Sequence, residues 1–225
     1  MGNNKGRGTH AGAVDSETRR RITYQLEVRI YDATVAFCAR YIDRRDRTHD
    51  QMVQAAHSGV ANIVEGSEAA AATSKKTELK LTNVAKASQE GLFFDYQAFL
   101  RQRHLPKWLA DSPESLAVRQ ARPADLGQLR NLMAVLVSDR SDKSDKSDRK
   151  AEVAANVLIC LINQETFLLG RQLARLEQEF VEEGGFTERL YRVRSARRSE
   201  KSDSITLDNR GGFKGSARAA SAANR

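Results

Sequence analysis

Four histidines and two cysteines are the side chains best suited to acid–base, metal or nucleophilic chemistry. His10, His49, His57 and His104 are scattered and share no metal-ligand spacing. Cys38 and Cys160 sit within apolar helical patterns and read as small buried hydrophobes of a reducing compartment. The chain carries no glycine-rich phosphate loop, nucleophile elbow or His-Glu-x-x-His motif. Asn62 and Glu65 are the polar residues of an otherwise small-residue helix, where a polar contact across a bundle or to another subunit is expected before catalysis. The sequence therefore offers no catalytic residues, no metal ligands and no cofactor, and reads as a non-enzyme.

The remaining candidates are cations, which bind phosphate by charge rather than by a precise constellation. The net charge of +8 is concentrated in the tails. Residues 186–225 hold ten Arg and Lys against Glu188, Glu200, Asp203 and Asp208, while Lys5 and Arg7 add two more charges at the start. The body between them is neutral, so a high isoelectric point alone says nothing of the body's surface. Placement says more. Arg40, Arg44, Arg45 and Arg47 flank the first helix end, and Arg101 and Arg103 close the third helix. In an up-down bundle these meet at one pole, with Asp43, Asp46 and Asp50 diluting them. Lys75 and Lys76 fall at the other pole, and Arg192, Arg194, Arg197 and Arg198 follow the last long helix.

Helical periodicity supplies the elements that position these groups. Few aromatics, three prolines and abundant helix formers predict an all-α fold. Residues 1–14 read as a disordered tail, and Asp15 or Ser16 caps a first helix to about Ile42. That helix carries one apolar stripe through Ile22, Leu26, Ile30, Ala33, Phe37 and Tyr41. A second runs through Tyr24, Val28, Tyr31, Val35, Cys38 and Ile42 on the nearly opposite face. Two greasy faces imply full burial or an intersubunit contact. A second helix spans about Thr48 to Ala70, with Met52, Ala56, Gly59 and Ile63 on one stripe and Val53, His57, Val60 and Val64 beside it. A third runs from a Thr73 or Ser74 cap to about Arg103, with Leu81, Val84, Ser88, Leu92 and Phe99 inward.

Pro106, Pro113 and Pro123 then interrupt the pattern. The insertion 105–150 comprises a connector with a helical turn after Ser112-Pro113, a short amphipathic helix at Asp125–Val137 and a Ser-Asp-Lys/Arg repeat over Ser138–Lys150. The repeat reads as a solvated loop, with phosphorylation or docking as the other reading. The last long helix, about Ala151 to Glu183, stops at Gly184-Gly185. Thr187 caps a short turn after it, and residues 195–225 read as a disordered basic tail. The layout is an antiparallel up-down four-helix bundle over 15–194, with a short helix and loop inserted before the last long helix. The longest apolar run, Val157 to Ile162, is too short to span a membrane, and the N-terminus lacks the apolar core of a secretory signal. A cytoplasmic location follows.

The stretch Ala55-Ala56-His57-Ser58-Gly59-Val60-Ala61-Asn62-Ile63-Val64-Glu65-Gly66 resembles the A-x-S-x-x-A-N-I-x-E-G signature of a family of four-helix-bundle proteins. That family includes the 23S ribosomal RNA intervening-sequence proteins and the accessory variability determinant of diversity-generating retroelements. Ser74-Lys75-Lys76 ahead of a long helix is similar as well. The segment from Glu152-Val153-Ala154-Ala155-Asn156 to Arg194 looks like the branch with an added C-terminal suffix. The resemblance covers roughly residues 20–195. It implies a pentameric ring and an RNA or reverse-transcriptase partner, with no catalytic role; the insertion and suffix depart from the short family pattern. The expected function is that of a homo-oligomeric accessory factor binding structured RNA or another nucleic acid. The alternative is a structural or protein-interaction scaffold without nucleic-acid binding.

Overall fold

The computed structural model describes residues 7–72, 75–138, 146–183 and 190–199, and every regular element among them is helical. These are α1 (Arg7–Tyr41), α2 (Arg47–Ala72), α3 (Lys75–Gln102), α4 (Pro113–Ala121), α5 (Leu126–Ser138), α6 (Lys146–Glu183) and α7 (190–199). The chain divides into two compact units, Met1–Gln178 and Glu179–Arg225, and the boundary between them falls inside α6.

Local chemistry sets the helix ends. Asp46 accepts the Thr48 amide at 2.9 Å and opens α2. Ser112, in extended backbone, accepts the Ser115 amide ahead of Pro113, which occupies the first helical position of α4. Asp125 caps α5 by accepting the Gln128 amide, and Gln128 reaches back to accept the Ala124 amide, each at 2.8 Å. The α3 terminus is a Schellman motif. Leu105 N–H bonds Leu100 C=O, His104 N–H bonds Arg101 C=O, and His104 takes the left-handed φ of 54° that glycine usually fills.

In the first unit, contacts along α1 and α3 keep a constant offset. Glu27 meets Gln89, Thr34 meets Tyr96 and Tyr41 meets Arg103, each pair 62 residues apart and each step one heptad. These helices therefore run parallel. Helix α2 runs against both, because Tyr31 packs on His57, Ser58 bonds Ser88, and Gly66 lies against Leu81 and Glu78. Leu158 of α6 lines one cavity with Phe37 of α1, and Glu165 lies in electrostatic reach of Glu27 and Arg29, so α6 opposes α1. Phe37 anchors the core, 4.8 Å from Phe99, 4.9 Å from Tyr96 and 5.1 Å from Tyr41 between ring centroids.

The insertion packs as a cover. Asn156 accepts the Trp108 amide at 2.8 Å and donates to the Pro106 carbonyl at 2.9 Å, while the Trp108 indole donates to Glu152. Arg149 bonds Glu152 at 2.6 Å and the Leu136 carbonyl at 3.1 Å. Covered on this side and facing the core on the other, residues Ala151 to Ile159 are all buried.

Several sequence expectations need correction. Helix α1 begins at Arg7, so residues 7–14 are helical; no proline interrupts them, and each glycine there costs only about 1 kcal/mol. Helix α6 starts at Lys146, within the expected loop, and Arg149 is held there by Glu152 and Leu136. Helix α7 continues through Ser195 to residue 199. The inward face of α3 is set differently in its first half: Glu78, Thr82, Ala85 and Gln89 are buried while Val84 is exposed. Glu78 bonds Arg20 and Gln89 bonds Glu27 on α1, so chemistry overrides the apolar pattern. Helix α6 is also long and apolar enough to cross a bilayer by length and composition, although much of it is buried within the chain. The Thr73/Ser74 cap, most of the Ser-Asp repeat, Gly184-Gly185, Thr187 and the tail beyond residue 199 lie outside the described residues.

Candidate nucleic-acid interface

Three of the expected basic groups are placed by the structure. At one end of the first unit, α1 delivers Arg40, the 42–46 turn delivers Arg44 and Arg45, and α2 opens with Arg47, all exposed. Arg103 is tied to that end by a 2.6 Å hydrogen bond from its guanidinium to the Tyr41 carbonyl and by stacking 4.5 Å over Phe99. Arg101 is exposed two residues before Arg103, on the nearly opposite side of α3, and Arg40 lies 5.7 Å from the Tyr41 ring centroid. Two neighbouring carboxylates are engaged with backbone: Asp43 accepts the Arg45 amide and Asp46 the Thr48 amide. The amide bonds hold the Asp46 carboxyl below its usual range, so it stays ionised as a cap. Among the described residues, Arg40, Arg44, Arg45, Arg47 and Arg101 form no ion pair.

Lys75 and Lys76 belong to the opposite end, where Arg20 bonds the buried Glu78 at 2.7 Å. The structure does not join them to the arginine cluster. Arg192, Arg194, Arg197 and Arg198 lie on α7 in the second unit and are all exposed. Helical geometry puts Arg194, Arg197 and Arg198 on one side with Leu190 and the exposed Tyr191, and Arg192 on the other.

A second surface lies between α1 and α2. Tyr31 and His57 stand 5.9 Å apart, and counting outward along the antiparallel pair sets Val28 opposite Val60, Tyr24 opposite Val64 and Val35 opposite Val53. Tyr24, Val35 and Val64 remain 41%, 38% and 37% exposed. The seam is an apolar ladder roughly 16 Å long. Only part of the second α1 stripe is thus exposed, since Cys38 is fully buried.

Cys38 has its thiol pushed up to about 12, chiefly by burial. Cys160 is half-buried, hydrogen-bonds Ser115, and is also raised, again mainly by burial. Neither thiol is activated. Asn62 donates to the Ser58 carbonyl within its own helix and Glu65 is exposed, so Ser58, rather than either of them, makes the contact to α3. His104 serves the α3 terminus. Among the described residues no three His, Cys, Asp or Glu side chains are grouped to hold a metal. Sequence reasoning missed a cleft of about 630 Å³ bounded by Trp108, Ser115, Arg119, Cys160 and Phe167. Its walls come from the segment before α4, α4 itself and α6, roughly 40–50 residues apart, so no local signal marks it.

No family model matches this sequence, and no curated protein or solved structure is similar to it.

Proposed function

We propose that the chain is a non-enzymatic, homo-oligomeric four-helix-bundle protein that binds structured RNA or another nucleic acid as a cytoplasmic accessory factor. In this reading α1, α2, α3 and α6 form the up-down bundle, with α4 and α5 as its inserted cover. The observation that carries it is the cluster of exposed arginines, Arg40, Arg44, Arg45 and Arg47, which no carboxylate pairs among the described residues and which Arg103 joins through Tyr41, with Arg101 exposed on the other side of the same α3 end. An arginine free of ion pairs loses little on meeting phosphate. The exposed seam of Tyr24, Val35 and Val64 supports self-association, which would repeat the cluster around an assembly and add its charges. Tyr191 beside Arg194, Arg197 and Arg198 offers a stacking ring among cations, as single-strand binders use. The resemblance to the intervening-sequence and retroelement accessory proteins points the same way. It suggests a pentamer, with a reverse transcriptase as a further partner.

The test is RNA affinity of the full chain measured by anisotropy across salt. Arg44→Ala/Arg45→Ala/Arg47→Ala should weaken binding uniformly across sequences and lower the salt slope by about 1 for each phosphate no longer neutralised. Unchanged affinity and slope would leave the scaffold reading in its place.

A further inference from the structure

The most unusual chemistry in the first unit is buried. Glu27 on α1, Gln89 on α3 and Glu165 on α6 are each fully inaccessible, and Gly59 of α2 lies at the same level. Gln89 donates through Nε2 to Glu27 Oε2 at 2.5 Å. That leaves Glu27 Oε1, Gln89 Oε1 and both Glu165 oxygens without a hydrogen-bond partner among the described residues. Four buried acceptors are thus left without a hydrogen-bonded donor, and Glu165 is in electrostatic reach of both Glu27 and Arg29.

The groups packed around this layer give incomplete charge compensation. From α1 comes Arg29, whose guanidinium bonds the Ala124 carbonyl at 2.9 Å and is shared between Glu165 and Asp125. Helix α2 presents only Gly59, α3 presents the neutral Gln89, and α6 presents Glu165 itself. One shared guanidinium cannot neutralise two carboxylates. Leaving a carboxylate unpaired in the interior costs more than keeping a glutamate protonated about two to three pH units above its ordinary range. One proton both removes the excess charge and supplies the missing donor, whereas a divalent cation would leave the set over-compensated.

We propose that Glu27 and Glu165 share a proton and form, with Gln89, a proton-held latch across α1, α3 and α6 that loosens when the proton leaves. The hydrogen bond already present makes Glu27 Oε2 the acceptor from Gln89, so the proton is held by Glu27 Oε1 or by Glu165. Burial raises both carboxyls, Glu27 to about 8 and Glu165 well above its usual range, the latter pushed further by Glu27 and opposed by Arg29. A raised folded-state value means the stabilisation is complete below the ordinary glutamate value near 4.5 and is lost as pH rises towards about 8.

The test compares thermal unfolding of the intact chain with that of Glu165→Gln and Glu27→Gln between about pH 4.5 and pH 8.5. The native protein should lose on the order of 5–10 °C in Tm across that window. Each glutamine variant should be less pH-dependent and melt higher than the native chain near pH 8. An infrared band of a protonated carboxyl should be present at pH 7 in the native chain and absent when both Glu27→Gln and Glu165→Gln are introduced. That spectrum needs no variant of the oligomer surface, so it is independent of the nucleic-acid reading. A native Tm that is flat or rising over the window would overturn the latch. So would a missing carboxyl band, or a stoichiometric metal whose chelation lowers Tm.

Discussion

Replacing Gly59 with alanine sets helix propensity against the space available at the polar layer. In an unconstrained helix the change gains about 1 kcal/mol. Here the added Cβ would lie 2.5 Å from Gln89 Nε2, 2.6 Å from Glu27 Oε2 and 3.1 Å from Glu27 Cδ. Those side-chain ends are buried and cannot swing into solvent. Clearing them breaks the Gln89–Glu27 hydrogen bond, costing about 1–3 kcal/mol, and overpacking adds about 1–3 kcal/mol. The loss exceeds the gain, so Gly59→Ala should destabilise by about 1–5 kcal/mol, lowering Tm by roughly 2–20 °C. Calorimetry and urea unfolding of Gly59→Ala, Gln89→Ala and the double variant separate the contributions. Truncating Gln89 removes the nearest obstacle, so the alanine penalty should shrink by at least about 1 kcal/mol in that background. A Gly59→Ala chain more stable than the native one would refute the close approach of α2 to the layer.

Other outcomes follow from single contacts. His104→Gly removes the cost of a left-handed side-chain residue at the α3 terminus and should raise stability by about 0.5–1 kcal/mol in chemical denaturation. Asn156→Ala removes both bonds to the Pro106–Trp108 connector and should cost about 1–3 kcal/mol, with limited proteolysis appearing first within residues 105–138. Val35→Glu/Val64→Glu charges the seam and should shift the light-scattering mass towards a single chain while the helical circular dichroism is retained.

Much of the helical framework was legible because it is written in local periodicity. The α2 stripe of Met52, Ala56, Gly59 and Ile63 is buried as read, and Leu158, Ile162, Leu169 and Leu176 of α6 face the core. What escaped was chemistry that depends on distant partners. Glu27, Gln89 and Glu165 stand outside the apolar stripes because their hydrophilicity hides an inward register; only the 62-residue offset between α1 and α3 brings two of them together. Trp108 and Asn156, 48 residues apart, likewise carry no signal of their hydrogen bond. The arginines at the ends of α1 and α3 could be grouped in advance, because a helix pairing alone brings those ends together. Arg103 bonding Tyr41 is the direct trace of that pairing. The α7 cations follow no such rule, since their unit is separate from the one bearing the other arginines.

The decisive measurement is the slope of log affinity for structured RNA against log salt, from about 50 to about 500 mM, for the native chain and for Val35→Glu/Val64→Glu. Polyvalent binding through repeated arginine clusters requires a steep negative slope in the native assembly and a markedly shallower one when the seam is charged. A flat native slope, or equal slopes for the two proteins, would contradict it.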